Sequence, residues 1–197
     1  MFATNWRSHS FAWLGLAAGL LSAAALLAVA AHAAPRADAA NGPERTRQAT
    51  AIQSANELER ELLRALNDLR ARAGLRPIRR SQGLAAAAAY HSRSMAERGY
   101  FNHTSSDGSR FWQRIERFYR RPPRWSIYEI GENLMRGPAS VSAAAVMKSW
   151  LESPPHRRNL YAGWPEVGFG AVRVVGAPGV FDGQTVAIVT ADFGARR

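Results

Sequence analysis

The chain opens on an unbroken, mostly apolar run from Phe11 to Ala31, rich in Ala and Leu, with Arg7 the only formal charge in residues 1–33. No polar face interrupts this run, so it does not read as a soluble core helix. Ala31-His32-Ala33 follows, a small-x-small triplet of the kind a signal peptidase cuts, and then Pro35 and a polar stretch. Residues 1–33 are therefore predicted to be a cleaved signal peptide. The competing reading is an uncleaved anchor, because the run is long enough for a bilayer that needs about 20 apolar residues. Either way the remainder faces outward, secreted or periplasmic in the first case and membrane-tethered in the second. Residues 34–53 carry Pro35, Gly42 and Pro43 and no apolar periodicity, and read as a disordered linker.

Helical spacing begins after Ser54. Ser54 and Glu57 fit a capping box, in which a hydroxyl and a carboxylate satisfy orphan backbone donors at a helix start. Leu58, Leu62, Leu66 and Leu69 then fall on one face with Leu63 beside them, and Gly74 and Pro77 end the helix. A second helix is predicted from Ser81 to Arg98, with Leu84, Ala88, His91 and Met95 on one face and an Ala85–Ala89 run small enough for close packing. A third covers Ser109–Tyr119, where Phe111, Trp112, Ile115, Phe118 and Tyr119 form an aromatic stripe read as core. Ile127–Leu134 suits a short strand interrupted at Gly131. A fourth helix spans Ser140–Leu151, with Val146, Met147, Trp150 and Leu151 inward. Val167–Val175 and Thr185–Phe193 are rich in Val, Ile and Thr, and read as two strands joined through Gly176–Gly183. Helices followed by a closing hairpin predict an α+β layered domain over residues 54–197.

Composition narrows the chemistry. There is no cysteine, which excludes disulfides, thiol catalysis and Cys-ligated zinc. A domain of this length can hold together by packing alone. The formal net charge is +11, nearly all of it arginine, with Lys148 the sole lysine. Base composition of the genome explains such a bias without function; attraction to an anionic envelope polymer, membrane surface or nucleic acid explains it with one. Arg110, Arg114, Arg117, Arg120, Arg121 and Arg124 cluster within one segment and favour a basic patch. No specific nucleic-acid motif accompanies it.

Beyond residues 1–33, three histidines remain: His91, His103 and His156. His91 lies on an apolar helix face and reads as a core-edge histidine satisfied by hydrogen bonds. His103 sits on a loop after Phe101 and Asn102, where functional groups often lie. His156 follows Ser153-Pro154-Pro155, where Ser153 can cap a new short helix with Pro154 at its first position. Glu132 stands in the mostly apolar Gly131-Glu132-Asn133-Leu134, and a carboxylate buried there needs a partner. Two histidines and an acid are raw material for a metal or acid–base site, although their spacing alone does not bring them together. There is no His-Glu-x-x-His motif, no Gly-x-Ser-x-Gly elbow and no phosphate-binding glycine loop.

Taken in order, these pieces resemble the bacterial branch of the CAP (SCP/PR-1-like) superfamily over about residues 58–194. The matching segments are Leu66-Asn67-Asp68-Leu69-Arg70, His91 to Met95 leading to Phe101-Asn102-His103, Asp107-Gly108, Gly131-Glu132-Asn133-Leu134, Trp150 to Arg157 with Asn159-Leu160, Glu166 to Gly170, and Thr190 to Gly194. The resemblance implies a three-layer α–β–α sandwich with a central antiparallel sheet and a surface cleft lined by two His and two acids, able to hold a divalent metal such as zinc. By motif, His103, Glu132 and His156 are three of the four. The second acid falls on Ser153, with Glu152 one residue away. The same trio also suits a scaffold device in which Glu132 ties a loop to the sheet. The reading that follows is an exported, monomeric binding domain whose cleft takes a metal, peptide, glycan or lipid. The alternatives are a metal-assisted hydrolase, in which His103, Glu132 and His156 hold zinc and its activated water or Glu132 instead acts as general base, and a lipid- or polyanion-binding protein.

Overall fold

The computed structural model describes residues 51–121 and 127–196. The signal segment, most of the linker, and Pro122, Pro123 and Arg124 lie outside the described residues.

The order is β1 (Ala51–Ser54), α1 (Asn56–Arg72), β2 (Arg79–Arg80), α2 (Gln82–Arg98), α3 (Phe111–Phe118), β3 (Tyr128–Pro138), α4 (Ala143–Glu152), α5 (Pro154–Tyr161), β4 (Glu166–Val175) and β5 (Val186–Arg196). The sheet runs β1-β4-β5-β3, with β2 as a short parallel addition to β4 and every other pairing antiparallel.

Strand alternation divides the structure into layers. On β5, Ala187, Val189, Ala191 and Phe193 join one cluster with Leu58, Leu62 and Leu66 of α1 and Val146 and Trp150 of α4. The intervening Val186 and Ile188 pack with Met95 and Ala96 of α2. Thus α1, α4 and α5 cover one face, and α2 and α3 cover the other. This is the α+β sandwich expected from the sequence.

The helix α2 approaches β4 unusually closely. A Cβ placed on Gly168 would lie 1.9 Å from the Ala85 nitrogen, and one on Gly170 would lie 2.2 Å from the Ala89 nitrogen. The alanine run of α2 and the glycines of β4 therefore form one backbone-to-backbone seam. Ser92 closes it, donating from Oγ to the Gly170 carbonyl at 2.8 Å, with Thr190 Oγ1 also 2.8 Å away.

Several local expectations are corrected. Ala51–Gln53 are not linker: they pair with Val175, Val174 and Arg173. Ser54 belongs to that strand, so the capping box is not made. Ala55 precedes α1 without a side-chain cap, and Glu57 pairs with Arg60 instead. The strand β3 runs through Gly131 unbroken. A Cβ there would come within 3.1 Å of Asn159 and Trp164, so this glycine makes room rather than a break. The aromatic stripe of α3 is split: Ile115 and Tyr119 are buried, whereas Trp112 and Phe118 are exposed, because so short a helix at the domain margin covers little.

Candidate functional site

Glu132 is the centre of the site. It lies on the α2/α3 face of β3, directly opposite Asp192 of β5. Its side chain is almost wholly buried, and both oxygens are engaged. Oε1 accepts from Nδ1 of His103 at 2.7 Å. Oε2 accepts from Nη2 of Arg114, whose side chain is fully buried. A carboxylate between a guanidinium and an imidazole keeps its charge compensated in a place where an isolated one would be very costly.

Arg114 does more than neutralise Glu132. Its Nη1 donates to the His103 carbonyl at 3.1 Å and to Ser105 Oγ at 2.9 Å. One guanidinium therefore fixes the strand acid and the loop that carries His103. Behind that loop, Nε2 of His91 donates to the Asn102 carbonyl at 2.9 Å. Burial pushes the pKa of His91 down to about 4, against the pull of the Glu132 charge, so it remains neutral near pH 7. His91 is thus the core histidine expected from the sequence, but it is only half satisfied: Nδ1 is buried without a hydrogen-bond partner among the described residues.

His103 is the accessible member, with its side chain half exposed and Phe111 edge-on at 6.4 Å. With Nδ1–H committed to Glu132, a neutral ring turns Nε2 outward as an acceptor.

His156 occupies the first turn of α5, as expected, although the Ser153 hydroxyl makes no cap. It approaches from the other layer, where its carbonyl accepts from Nδ2 of Asn133 at 3.1 Å. Burial lowers the pKa of its imidazole first, and nearby His103 adds to the effect. Because β3 alternates faces, Glu132 and Asn133 address opposite layers, yet the His156 imidazole is near enough to His103 to feel its charge. Glu152 and Ser153 stay at the α4–α5 junction. Glu152 faces Lys148 at 3.8 Å, and neither residue makes a hydrogen bond or ion pair to His103 or Glu132.

Among the described residues no group of three His, Asp or Glu side chains is placed to hold a metal ion. A cation at Glu132 would have to displace the buried guanidinium of Arg114 and part His103 from its acceptor. Glu132, with Arg114 on one oxygen and His103 on the other, is not free to ligate a metal as folded.

Two residues of the site were not singled out from sequence. Arg114 had been grouped with the basic patch, but it points inward beside Ile115. Asp192 was passed over within a strand pattern, yet the argument applied to Glu132 holds for it too: an acid among Val, Ile and Ala has to be accounted for. Asp192 is fully buried against Glu132, and its carboxyl, when it carries a proton, can donate to that neighbour but finds no other hydrogen-bond partner among the described residues. Burial first, and then the charge of Glu132, raise its pKa well above the usual carboxylate range, only partly offset by Arg114.

Folding thus holds a proton on Asp192 that the unfolded chain releases near pH 3.9. The stability tied to Asp192 is complete below that pH and declines as pH rises toward the folded-state pKa. His91 acts in the opposite sense, losing stability as pH falls below its unfolded value of about 6.5, so variant and parent must be compared directly. Asp192→Asn should be more stable than the parent by about 1–3 kcal/mol at pH 7, with a smaller gap at pH 4.5. Urea unfolding at the two pH values measures this, and a pH-independent gap would contradict it.

Comparison with known proteins now decides the family. The sequence profile described as CAP, the Cysteine-rich secretory protein family, matches residues 63–179. The chain belongs to the CAP family. It does so without a cysteine, so this CAP domain stands by packing alone. An uncharacterized protein of Bacillus subtilis strain 168, YkwD, is 28% identical over 131 residues, covering 66% of this chain and 48% of that protein. The chain therefore spans about half the length of this curated relative. Among solved structures, an extracellular protein containing an SCP domain from Bacillus anthracis str. Ames superposes with a TM-score of 0.54 at 24% identity, over 70% of this chain and 40% of that one. An outer surface protein from Borrelia burgdorferi gives 0.57 at 21% identity, over 75% and 98%. At these identities the likeness speaks for the CAP fold. Among the described residues no helix is long and apolar enough to cross a membrane.

Proposed function

We propose that this CAP domain is an exported binding domain in which His103, held by Glu132 and Arg114, forms the ligand-contacting edge of a cleft and catalyses no reaction. The double engagement of Glu132 carries this reading. A general base must reach substrate or water, and the Glu132 side chain is almost wholly buried, with His103 on one oxygen and Arg114 on the other. What remains accessible is His103 Nε2 beside the Phe111 ring. That pairing of a hydrogen-bonding edge and an aromatic face suits a peptide or glycan. Export rests on the apolar segment ending at Ala31-His32-Ala33, and the extracellular and outer-surface descriptions of the structural relatives agree with it.

The test is a titration of the full chain with soluble glycopeptide fragments of bacterial cell wall, followed by NMR of the imidazole carbons. The His103 signal should shift saturably, the signal of buried His91 should stay in place, and the fragments should remain intact. Turnover that disappears in Glu132→Gln would overturn the reading in favour of a hydrolase. Calorimetry with zinc should show no binding that depends on His103 and His156. Zinc binding abolished by His103→Ala and by His156→Ala would place a metal at the site after all.

A further inference from the structure

A cavity lies away from His103, bounded by the turn after α1, the segment after α5 and the paired ends of β3 and β5. It encloses about 570 Å³ and is lined by Arg70, Arg76, Arg79, Trp164 and Glu129 among others. That volume is within the range of about 300–1,000 Å³ common for small-molecule sites.

Arg70 is the unusual wall. It is 3% exposed, yet no carboxylate among the described residues pairs with it. Its Nε donates to the Arg76 carbonyl at 2.9 Å, and its Nη1 donates to the carbonyls of Leu160 and Ala162 at 3.0 and 2.8 Å. These bonds tie the turn after α1 to the end of α5, where a cation meets the negative pole of the helix. That structural role uses Nε and Nη1. Nη2 makes no hydrogen bond to any described residue, although arginine stays charged even when buried.

Arg76 and Arg79 bring two more guanidiniums to the same cavity. Neither makes an ion pair or a side-chain hydrogen bond among the described residues, and Glu129 is the only acid in the lining. Burying a cation without a counter-charge is unfavourable, which applies here to Arg70 alone; exposed Arg76 and Arg79 add positive potential at the rim, offset only by exposed Glu129.

We propose that this cavity binds a small oxyanion, the phosphate or carboxylate group of a small molecule, through Arg70 Nη2 at its floor and Arg76 and Arg79 at its rim. Planar guanidinium forks match such groups with paired hydrogen bonds, which a lone ammonium does not. Arg70 is already fixed by three carbonyls, so little side-chain entropy is lost when the anion arrives. The site is independent of the His103 edge.

The experiment is calorimetry on the full chain at constant ionic strength, with inorganic phosphate in one arm and citrate in the other. Saturable binding of either, with a dissociation constant of about 1 mM or tighter, is expected, and the preferred arm identifies the oxyanion. The double variant Arg76→Gln/Arg79→Gln alters exposed side chains only and should weaken binding by about tenfold or more. His103→Ala should leave it unchanged. Absence of saturable binding to both probes would overturn the proposal, as would binding that the double variant does not affect. Arg70→Lys, checked for folding by circular dichroism, keeps a charge but loses the fork. It should also bind more weakly, and undiminished binding by a folded Arg70→Lys protein would remove Arg70 from the site.

Discussion

Arg114→Met should be among the most damaging single changes to this domain, at about 3–5 kcal/mol of lost stability. The side chain is fully buried and packs at the junction of α3, the His103 loop and β3. Methionine replaces part of its volume but leaves Glu132 charged and buried next to Asp192, with only half-exposed His103 to balance it. The loop through His103 and Ser105 also loses two of its anchors. If the ion pair is the cause, the second change Glu132→Gln should restore a substantial part of the loss, because it removes the stranded charge. A double-mutant cycle by urea unfolding measures the coupling. An Arg114→Met protein within about 1 kcal/mol of the parent, a typical surface-scale effect, would show that the pair is not structural.

Gly168→Ala should be comparably severe for a different reason. Its added methyl would sit 1.9 Å from the Ala85 nitrogen and 2.1 Å from the Leu84 carbonyl carbon, both backbone atoms of α2. Flexible side chains can move aside; a helix backbone anchored along two strands cannot do so locally. The cost should reach or exceed the upper end of the about 1–3 kcal/mol typical of core overpacking, with Gly170→Ala close behind. Gly163→Ala is the control, since its Cβ would meet nothing within 4 Å. Thermal unfolding should separate the two glycines of the seam from Gly163. Equal melting temperatures for Gly168→Ala and Gly163→Ala would refute the close approach.

Much of this fold was legible because periodicity reports burial. The leucines of α1, the Leu84–Met95 face of α2 and the two Val-rich strands each announced an inward side. The family pattern supplied the order of layers. Less legible were features set by distant contacts. The strand at Ala51–Ser54 exists because the β4 edge is there to pair with, and a segment of four residues with Ile52 its one large apolar side chain does not advertise that. Arg114 misled for a physical reason: within a cluster of arginines, only its position beside Ile115 marks it as inward.

The neutralised site has a practical corollary for how partners are sorted. Glu132 and Arg114 cancel, His91 carries no charge near neutrality and burial favours the neutral form of Asp192, so the floor beneath His103 presents mainly dipoles. The excess arginine charge lies elsewhere, largely on surfaces open to solvent. Mobile ions with a Debye length of about 8 Å at physiological strength screen the latter and barely reach the former. For the binding role proposed above, ionic strength should therefore slow or speed encounter with an anionic ligand while leaving binding at the His103 edge nearly constant.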